Sequence, residues 1–261
     1  MELKLKGKNA IITGGANGIG FACCEELAKE GVNILIADIN EEAAHQAALS
    51  IEKYGVKSFA VKTDVCNLES VKNMVNKGRS TFGRIDILIN SAGIVTISKL
   101  SNVTEKEWDM VMDINAKGVF VCTQTVMNAM IEDNVKGKIV NISSQAGKKP
   151  VNMEAPYSAS KAAVNMLTQS FALYGASRSI NVNAVCPGSI ENDLNKRITE
   201  QRAKILGIQQ EEFLKNTLKN TPLGRQGKPE EIAYMVAYLC SYRSDFMTGQ
   251  AINITGGRLF N

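Results

Sequence analysis

The chain has 261 residues, 44% of them apolar and 21% charged, and its 30 basic and 26 acidic side chains leave a formal charge of +4. Scattered Lys and Arg in so small an excess exclude nucleic acid as the partner, and apolar runs no longer than IAYMVAYLC exclude a membrane span. Six cysteines without a C-x-x-C pair read as small buried residues in a reducing cytoplasm, and the single histidine, His45, excludes a His-rich metal site.

The chain opens on KLKGK, a solvated lead-in with no apolar signal region behind it. NAIIT then reads as a strand, followed by a glycine-rich turn and the helical pattern GFACCEELAKEG. NILIAD precedes EEAAHQAALSIEKYG, SFAVKTDV precedes LESVKNMVNKGRSTFG, and IDILIN leads to one long helical stretch from EKEWDM to NAM. GKIVNIS precedes PYSASKAAVNMLTQSFALYGAS, and INVNAVCPG precedes a polar helical stretch. PEEIAYMVAYLCS and GQAINITGG complete the chain. Continuous apolar strands alternating with amphipathic helices predict an α/β domain: a seven-stranded parallel sheet, doubly wound, with helices on both faces. No linker or repeat divides residues 1–261, so a single domain is expected. Residues 189–220 break the rhythm with few strong apolar residues and read as a helical lid over the sheet edge.

Three stretches carry chemistry. TGGANGIG places Gly14, Gly18 and Gly20 between the first strand and first helix, where the backbone must turn sharply, approach a pyrophosphate and pack the helix on the strand. Asp38 ends the second strand, where a carboxylate accepts from adenosine ribose hydroxyls and repels the extra phosphate of NADP. No Lys or Arg stands at Ala16, Asn17 or Ile39 to compensate, so the expected cofactor is NAD. In PYSASK, Tyr157 precedes Lys161 by one helical turn, and a cation beside a phenol lowers a pKa that is ordinarily about 10.

Together with Asp64–Val65, NSAG at 90–93, Asn115, ISS at 142–144 and PG at 187–188, these motifs resemble the classical short-chain dehydrogenase/reductase family over essentially the whole chain. The resemblance implies a single-domain Rossmann fold and a catalytic tetrad of Asn115, Ser144, Tyr157 and Lys161. Tyr157 is then the general acid/base, Lys161 lowers its pKa and holds the nicotinamide ribose, and Ser144 hydrogen-bonds the reacting oxygen. Asn115 helps hold a water linking Lys161 to solvent. The implied cofactor contacts are Gly14, Asn17, Gly18, Ile19, Gly20, Asp38, Ile39, Asp64 and Val65 on the adenosine side. Asn90, Ala92, Gly93, Tyr157, Lys161, Pro187, Gly188, Ile190 and Asn192 complete them. Two positions depart from the family pattern, Ser91 in place of a second Asn and Asn192 in place of Thr.

Within the family the chain resembles the sorbitol-6-phosphate 2-dehydrogenases and related polyol and diol dehydrogenases, in KGKIVNISSQAGKK, RAKILGIQQEEFLKNTLKNTPLGR and TGQAINITGGRLF among other stretches. The resemblance therefore implies a small-molecule secondary alcohol as substrate, most closely a sugar alcohol or its phosphate. The acetoin/butanediol reductases, 3-oxoacyl carrier-protein reductase and a catalytically silent dinucleotide-binding regulator are the alternatives. A phosphate on the substrate is expected to meet Lys148 and Lys149 on the loop after Ser144, closed over by Lys196 and Arg197 of the lid. The resemblance also implies a homotetramer in the cytoplasm.

Overall fold

The computed structural model describes residues 2–261. In chain order the regular elements are β1 (Asn9–Thr13), α1 (Gly18–Lys29), β2 (Asn33–Asp38), α2 (Glu41–Ile51), β3 (Ser58–Lys62), α3 (Leu68–Phe82) and β4 (Ile87–Asn90). There follow α4 (Glu105–Met112), α5 (Gly118–Glu132), β5 (Lys138–Ile142), α6 (Ala155–Gly175) and β6 (Asn181–Pro187). The chain finishes with α7 (Asp193–Leu206), α8 (Gln210–Lys219), α9 (Pro229–Cys240) and β7 (Ala251–Ile254). All seven strands join one parallel sheet in the order β3-β2-β1-β4-β5-β6-β7. The chain winds outward from β1 to β3, then crosses back to β4 on the other side of β1. That reversal opens a crevice at the carboxyl ends of β1 and β4, the place where this kind of sheet binds ligands.

Alternation of side chains along each strand explains the two cores. Ile12, Ile34, Ile36 and Ile87 point to one face and pack with Cys23, Cys24 and Leu27 of α1, Ile51 of α2 and Val236 of α9. Ile11, Leu35, Leu88 and Ile139 point to the other and pack with Met74 of α3 and Val126, Met127 and Met130 of α5. Five cysteines are buried and Cys66 is half-buried, all of them free thiols. The long helix expected over residues 105–130 is interrupted. Between α4 and α5 the chain makes a π turn, Asp113–Lys117, and Asn115 lies within it. Such a turn inserts a residue into the helical ladder and re-aims the side chain there. The predicted lid is the pair α7 and α8.

Candidate active site

The glycine-rich turn is shaped by contacts that leave no room for a side chain. Gly14 has φ +63°, and a Cβ there would lie 2.7 Å from the Ala92 backbone; at Gly20 it would lie 2.1 Å from the Gly14 carbonyl oxygen. The first contact lets the turn after β1 lean on the loop after β4, and the second seats α1 against the turn. Thr13 ties the same two loops, its Oγ1 accepting from the N–H groups of Ser91 (3.2 Å) and Ala92 (3.3 Å). The N-cap of α1, Asn17, forms no side-chain cap, and the first turn of α1 holds no acid. By contrast α2, α3 and α4 are each capped by a side chain and carry Glu in the first turn. The opening N–H groups of α1 and its positive end are therefore available to an anion, which fits a dinucleotide's pyrophosphate.

Asp38 is fastened to this turn: Oδ2 accepts from Ala16 N–H at 3.2 Å and Oδ1 from Asn40 N–H at 3.1 Å. Ile39 beside it is exposed. Asp64 is exposed and accepts from Cys66 N–H at 2.9 Å, while Val65 is buried and packs where a Gly118 side chain would stand. Asn192 does what a Thr would do, capping α7 by accepting from Asn195 N–H at 2.8 Å. It also keeps an amide: Nδ2 stands 3.8 Å from where a Gly18 side chain would begin, across the pyrophosphate groove. Two residues of the implied cofactor set turn away. The side chain of Asn90 is buried and donates to Thr123 Oγ1 (2.9 Å) and Asn141 Oδ1 (2.8 Å), so only its backbone faces the crevice. Ile190 packs into the core beside Gly227, behind which a cavity of about 70 Å³ lies between Thr221 and Thr255, apart from Tyr157.

Beyond Gly93 the polar side chains converge. Asn115 is fully buried; Oδ1 accepts from Ile94 N–H (2.8 Å), and Nδ2 donates to Ile94 O (2.8 Å) and Ser160 Oγ (3.0 Å). Both amide hydrogens are thus committed, and a water here can meet only Oδ1 or the backbone carbonyl. A methyl at Gly93 would sit 3.2 Å from Asn115 Oδ1 and 3.6 Å from Lys161 Nζ, which places that ammonium beside the loop. Lys161 Nζ donates to Ile142 O at 2.8 Å and stands 5.6 Å from the centre of the Tyr157 ring. Ser144, at the end of β5, accepts from Ala146 N–H at 3.1 Å, leaving its own O–H to donate. Tyr157 enters on the first turn of α6, where Pro156 is tolerated because the amide it lacks would have had no helical partner.

The expected lowering of the Tyr157 pKa is not found in the protein alone. Burial raises it well above the phenol range; the Ser144 hydroxyl works against this, and the Glu154 carboxylate adds to it. Lys161 is bonded to the Ile142 carbonyl rather than to the phenol, and burial pulls its own pKa down to about 8.

The four cations expected at the far end of the substrate do not gather. Lys148 Nζ donates to Ala251 O at 2.6 Å. Ala251 begins β7, about 10 Å back from the carboxyl edge of the sheet at some 3.3 Å per residue, so this ammonium is engaged by the backbone of the last strand. Lys149, Lys196 and Arg197 are exposed. Along α7 the inward stripe is Asn195, Thr199, Arg202 and Ala203, spaced as one helical face, and it leaves Lys196 and Arg197 outside. The lid cation turned inward is Arg202, whose Nη2 forms an ion pair with Oε1 of Glu154, both side chains largely buried. Burial raises the Glu154 pKa, and Arg202 opposes this. The periodicity of RITEQRAKIL carried that signal; nothing in the sequence marked Glu154. Among the described residues no His/Cys/Asp/Glu cluster fit to hold a metal occurs.

The family model for short chain dehydrogenase matches residues 8–203. The chain is 37% identical over 255 residues to a 3-oxoacyl-[acyl-carrier-protein] reductase of Thermotoga maritima, covering 98% of this chain and 99% of the relative. It is 36% identical to galactitol 2-dehydrogenase of Agrobacterium fabrum, covering 98% of each. Among solved structures, NAD+-bound xylitol dehydrogenase superposes with a TM-score of 0.94 at 34% identity, covering 97% of this chain and 100% of that one. Sorbitol-6-phosphate 2-dehydrogenase from Erwinia amylovora gives 0.92 at 31%, with the same coverage.

Proposed function

Since the chain belongs to the short-chain dehydrogenase family of oxidoreductases, we propose that it is an NAD(H)-dependent enzyme interconverting a secondary alcohol and a ketone, with a sugar alcohol or its phosphate as substrate. The observation that carries this reading is the meeting of Ser144, Tyr157 and Lys161 beside Gly93, at the carboxyl edge of the sheet. Bound NAD(H) supplies the hydride acceptor or donor. In the oxidative direction Tyr157 takes the hydroxyl proton; in the reductive direction it returns a proton to the forming alkoxide. Ser144 donates to that same oxygen with the O–H its turn leaves free. Burial disfavours the phenolate in the protein alone, and Lys161, one turn along α6 with its Nζ 5.6 Å from the centre of the ring, is the cation that favours proton acceptance. Asn115 fixes residue 94 and thereby the loop against which Lys161 rests.

NAD rather than NADP follows from Asp38, already fastened to the turn that meets the pyrophosphate and placed to accept from ribose hydroxyls. The 3-oxoacyl carrier-protein reductase reading draws support from the Thermotoga relative. A charged pair at the substrate mouth, Glu154 with Arg202, favours a polar substrate over an acyl chain. A homotetramer is the proposed assembly. Exposed Trp108, Met110 and Phe120 on α4 and α5, with Leu173 and Tyr174 on α6, offer the apolar faces for it.

The deciding measurement is a panel of hexitols, hexitol phosphates, acetoin and an acetoacetyl thioester, each with NAD(H) and NADP(H). Turnover of polyols with at least tenfold preference for NAD is expected. Asp38→Ala should narrow that preference, since a hydrogen bond to a charged acceptor is worth about 1.5–3 kcal/mol. A native preference for NADPH with the thioester would overturn the reading.

A further inference from the structure

We propose that Glu154 and Arg202 are the latch of the lid: their ion pair holds α7 and α8 down over the start of α6, and it breaks each time substrate enters or product leaves. Both are positioning residues, acting on how the substrate is retained rather than on proton transfer. The latch stands on the geometry of the fold, while its effect on turnover rests on the dehydrogenase reading above.

The lid is fastened firmly at its base and sparsely beyond it. Where the chain leaves the body, Asn195 Nδ2 donates to Ser189 Oγ (3.0 Å), and Ile190 pairs with Gly227 where the chain returns. Gln226 Nε2 donates to the same Ser189 hydroxyl (3.1 Å), so exit and return form one hinge. Arg225, just before it, grips Glu231 of α9 with two hydrogen bonds of 2.7 and 2.6 Å. Beyond this base α7 buries Thr199 and Ala203, and α8 buries no residue. So little burial anchors two helices weakly, because hydrophobic attachment scales with the apolar area removed from water. Among the described residues, the one ion pair or side-chain hydrogen bond that joins 193–220 to the chain outside 189–227 is that of Arg202 with Glu154. From Asn192, the N-cap of α7, to Arg202 is about 15 Å at 1.5 Å per residue, so the pair acts far from the hinge.

The pair also has the properties a latch needs. Glu154 is the N-cap residue of α6, and its carbonyl accepts from Ser158 N–H at 2.8 Å, so it lies in the same turn as Tyr157. Its mount is rigid. Met153 before it is held at φ +68° and its carbonyl accepts from Ser98 N–H (3.0 Å), while Val151 N–H donates to Ser158 Oγ (3.3 Å). A lid closed on Glu154 therefore covers the turn that carries the reacting phenol. The Arg202 guanidinium also lies 5.8 Å from the ring centre of Phe213 on α8, which ties both lid helices to one contact. The side chains of Arg202 and Glu154 are 17% and 7% exposed, so both charges are largely out of water. In such a place attraction and lost hydration nearly cancel, and opening returns hydration to both groups. The contact is also incomplete: Nε and Nη2 of Arg202 have no hydrogen-bond acceptor, unlike the bidentate grip of Arg225. A base that is gripped and a far end held by charge make a hinged lid rather than a fixed wall.

The test replaces both partners, because removing one alone strands a buried charge. Glu154→Gln with Arg202→Met keeps most of the volume and removes the attraction, whereas Arg202→Lys keeps the charge. Limited trypsin digestion with NADH present reads the lid. At ten residues α8 is too short to stay helical once lifted, so its end becomes cleavable at Lys215 and Lys219. Cleavage there should be at least fivefold faster in the double variant than in wild type, and near the wild-type rate in Arg202→Lys. The Tm of the double variant should stay near that of wild type, since replacing both members of a buried pair is often neutral. For the panel substrate turned over fastest, KM should rise at least fivefold in the double variant with kcat undiminished. A fall in kcat at unchanged KM would place the pair in the chemistry and overturn the latch. So would a wild-type cleavage rate in the double variant, or cleavage that quickens along the whole chain rather than within 193–220. Cleavage is read without substrate, so it decides the latch even if no alcohol or ketone is turned over, an outcome that removes the dehydrogenase reading alone.

Discussion

Around Gly14 the proposed binding surface is made of backbone, whereas around Arg202 it is made of side chains. At the first end, missing Cβ atoms bring the turn after β1, the loop after β4 and the start of α1 together, and uncapped N–H groups are left open to an anion. At the second, a helix of mixed polarity turns one charged residue inward and the rest outward. A backbone site tolerates almost no added volume but is indifferent to which polar residues surround it. A side-chain site accepts volume changes on its outer face and depends on a few charges on its inner one. Between the two ends stand Ser144, Tyr157 and Lys161, common to both because cofactor and substrate must meet there.

The largest expected effect removes that meeting point. Tyr157→Phe keeps the ring and its packing but deletes the proton donor, and general acid–base catalysis alone contributes about 10²–10⁴ in rate. Turnover should fall by about three orders of magnitude while NADH binding, followed by fluorescence titration, is retained. Wild-type-like kcat would remove Tyr157 from the chemistry. Next comes the backbone end. Gly20→Ala would set a methyl 2.1 Å from the Gly14 carbonyl oxygen, a contact with backbone that no rotamer relieves. Overpacking of this kind costs about 1–3 kcal/mol, and the displaced turn should lose NADH binding as well. An unchanged Tm and unchanged NADH affinity would break the contrast between the two ends.

How far each end was legible follows from the same contrast. Gly14, Gly18 and Gly20 are close neighbours in the chain, so their spacing is visible before any fold is known. Apolar strand runs likewise announced the parallel sheet, because burial on both faces leaves no polar alternation to confuse. The long helix over 105–130 was read through its π turn, since one inserted residue barely disturbs a 3.6-residue period. Lys148 looked close to the substrate because it follows Ser144 by four residues, but a four-carbon stem reaches either way, and here it reaches to Ala251. Glu154 and Arg202 are far apart in sequence and meet only after folding.

A third test concerns Lys161 and depends on pH. An unfolded lysine holds its proton up to about pH 10.5, while the folded one releases it near 8. Between those values the unfolded chain binds more protons, so stability contributed at this site rises with pH, by up to about 1.4 kcal/mol per unit. It is fully present above 10.5 and lost as pH falls to 8. The stability difference between wild type and Lys161→Met should therefore grow across that window, on the order of 2–3 kcal/mol by denaturant titration. A difference that stays flat from pH 8 to 10.5 would mean the ammonium is not desolvated.

The smallest effect is expected where the sequence alone pointed to a binding role. Lys196 and Arg197 lie on the outer face of α7, exposed to solvent. An exposed charge interacts through water, and at physiological ionic strength it is screened over about 8 Å. Lys196→Ala or Arg197→Ala should thus change stability by no more than about 0.5 kcal/mol, the usual range for surface substitutions. On catalysis they should act only by long-range attraction of an anionic substrate, lowering kcat/KM less than about threefold at low salt and not at all at 0.15 M. The control is the same measurement with a neutral polyol, for which no salt dependence of the difference is expected. A tenfold rise in KM for the anion that persists at high salt would mean α7 presents its other face when the lid closes. The substrate's charge would then belong to Lys196 and Arg197, and the division between a backbone end and an inward-facing side-chain end would have to be redrawn.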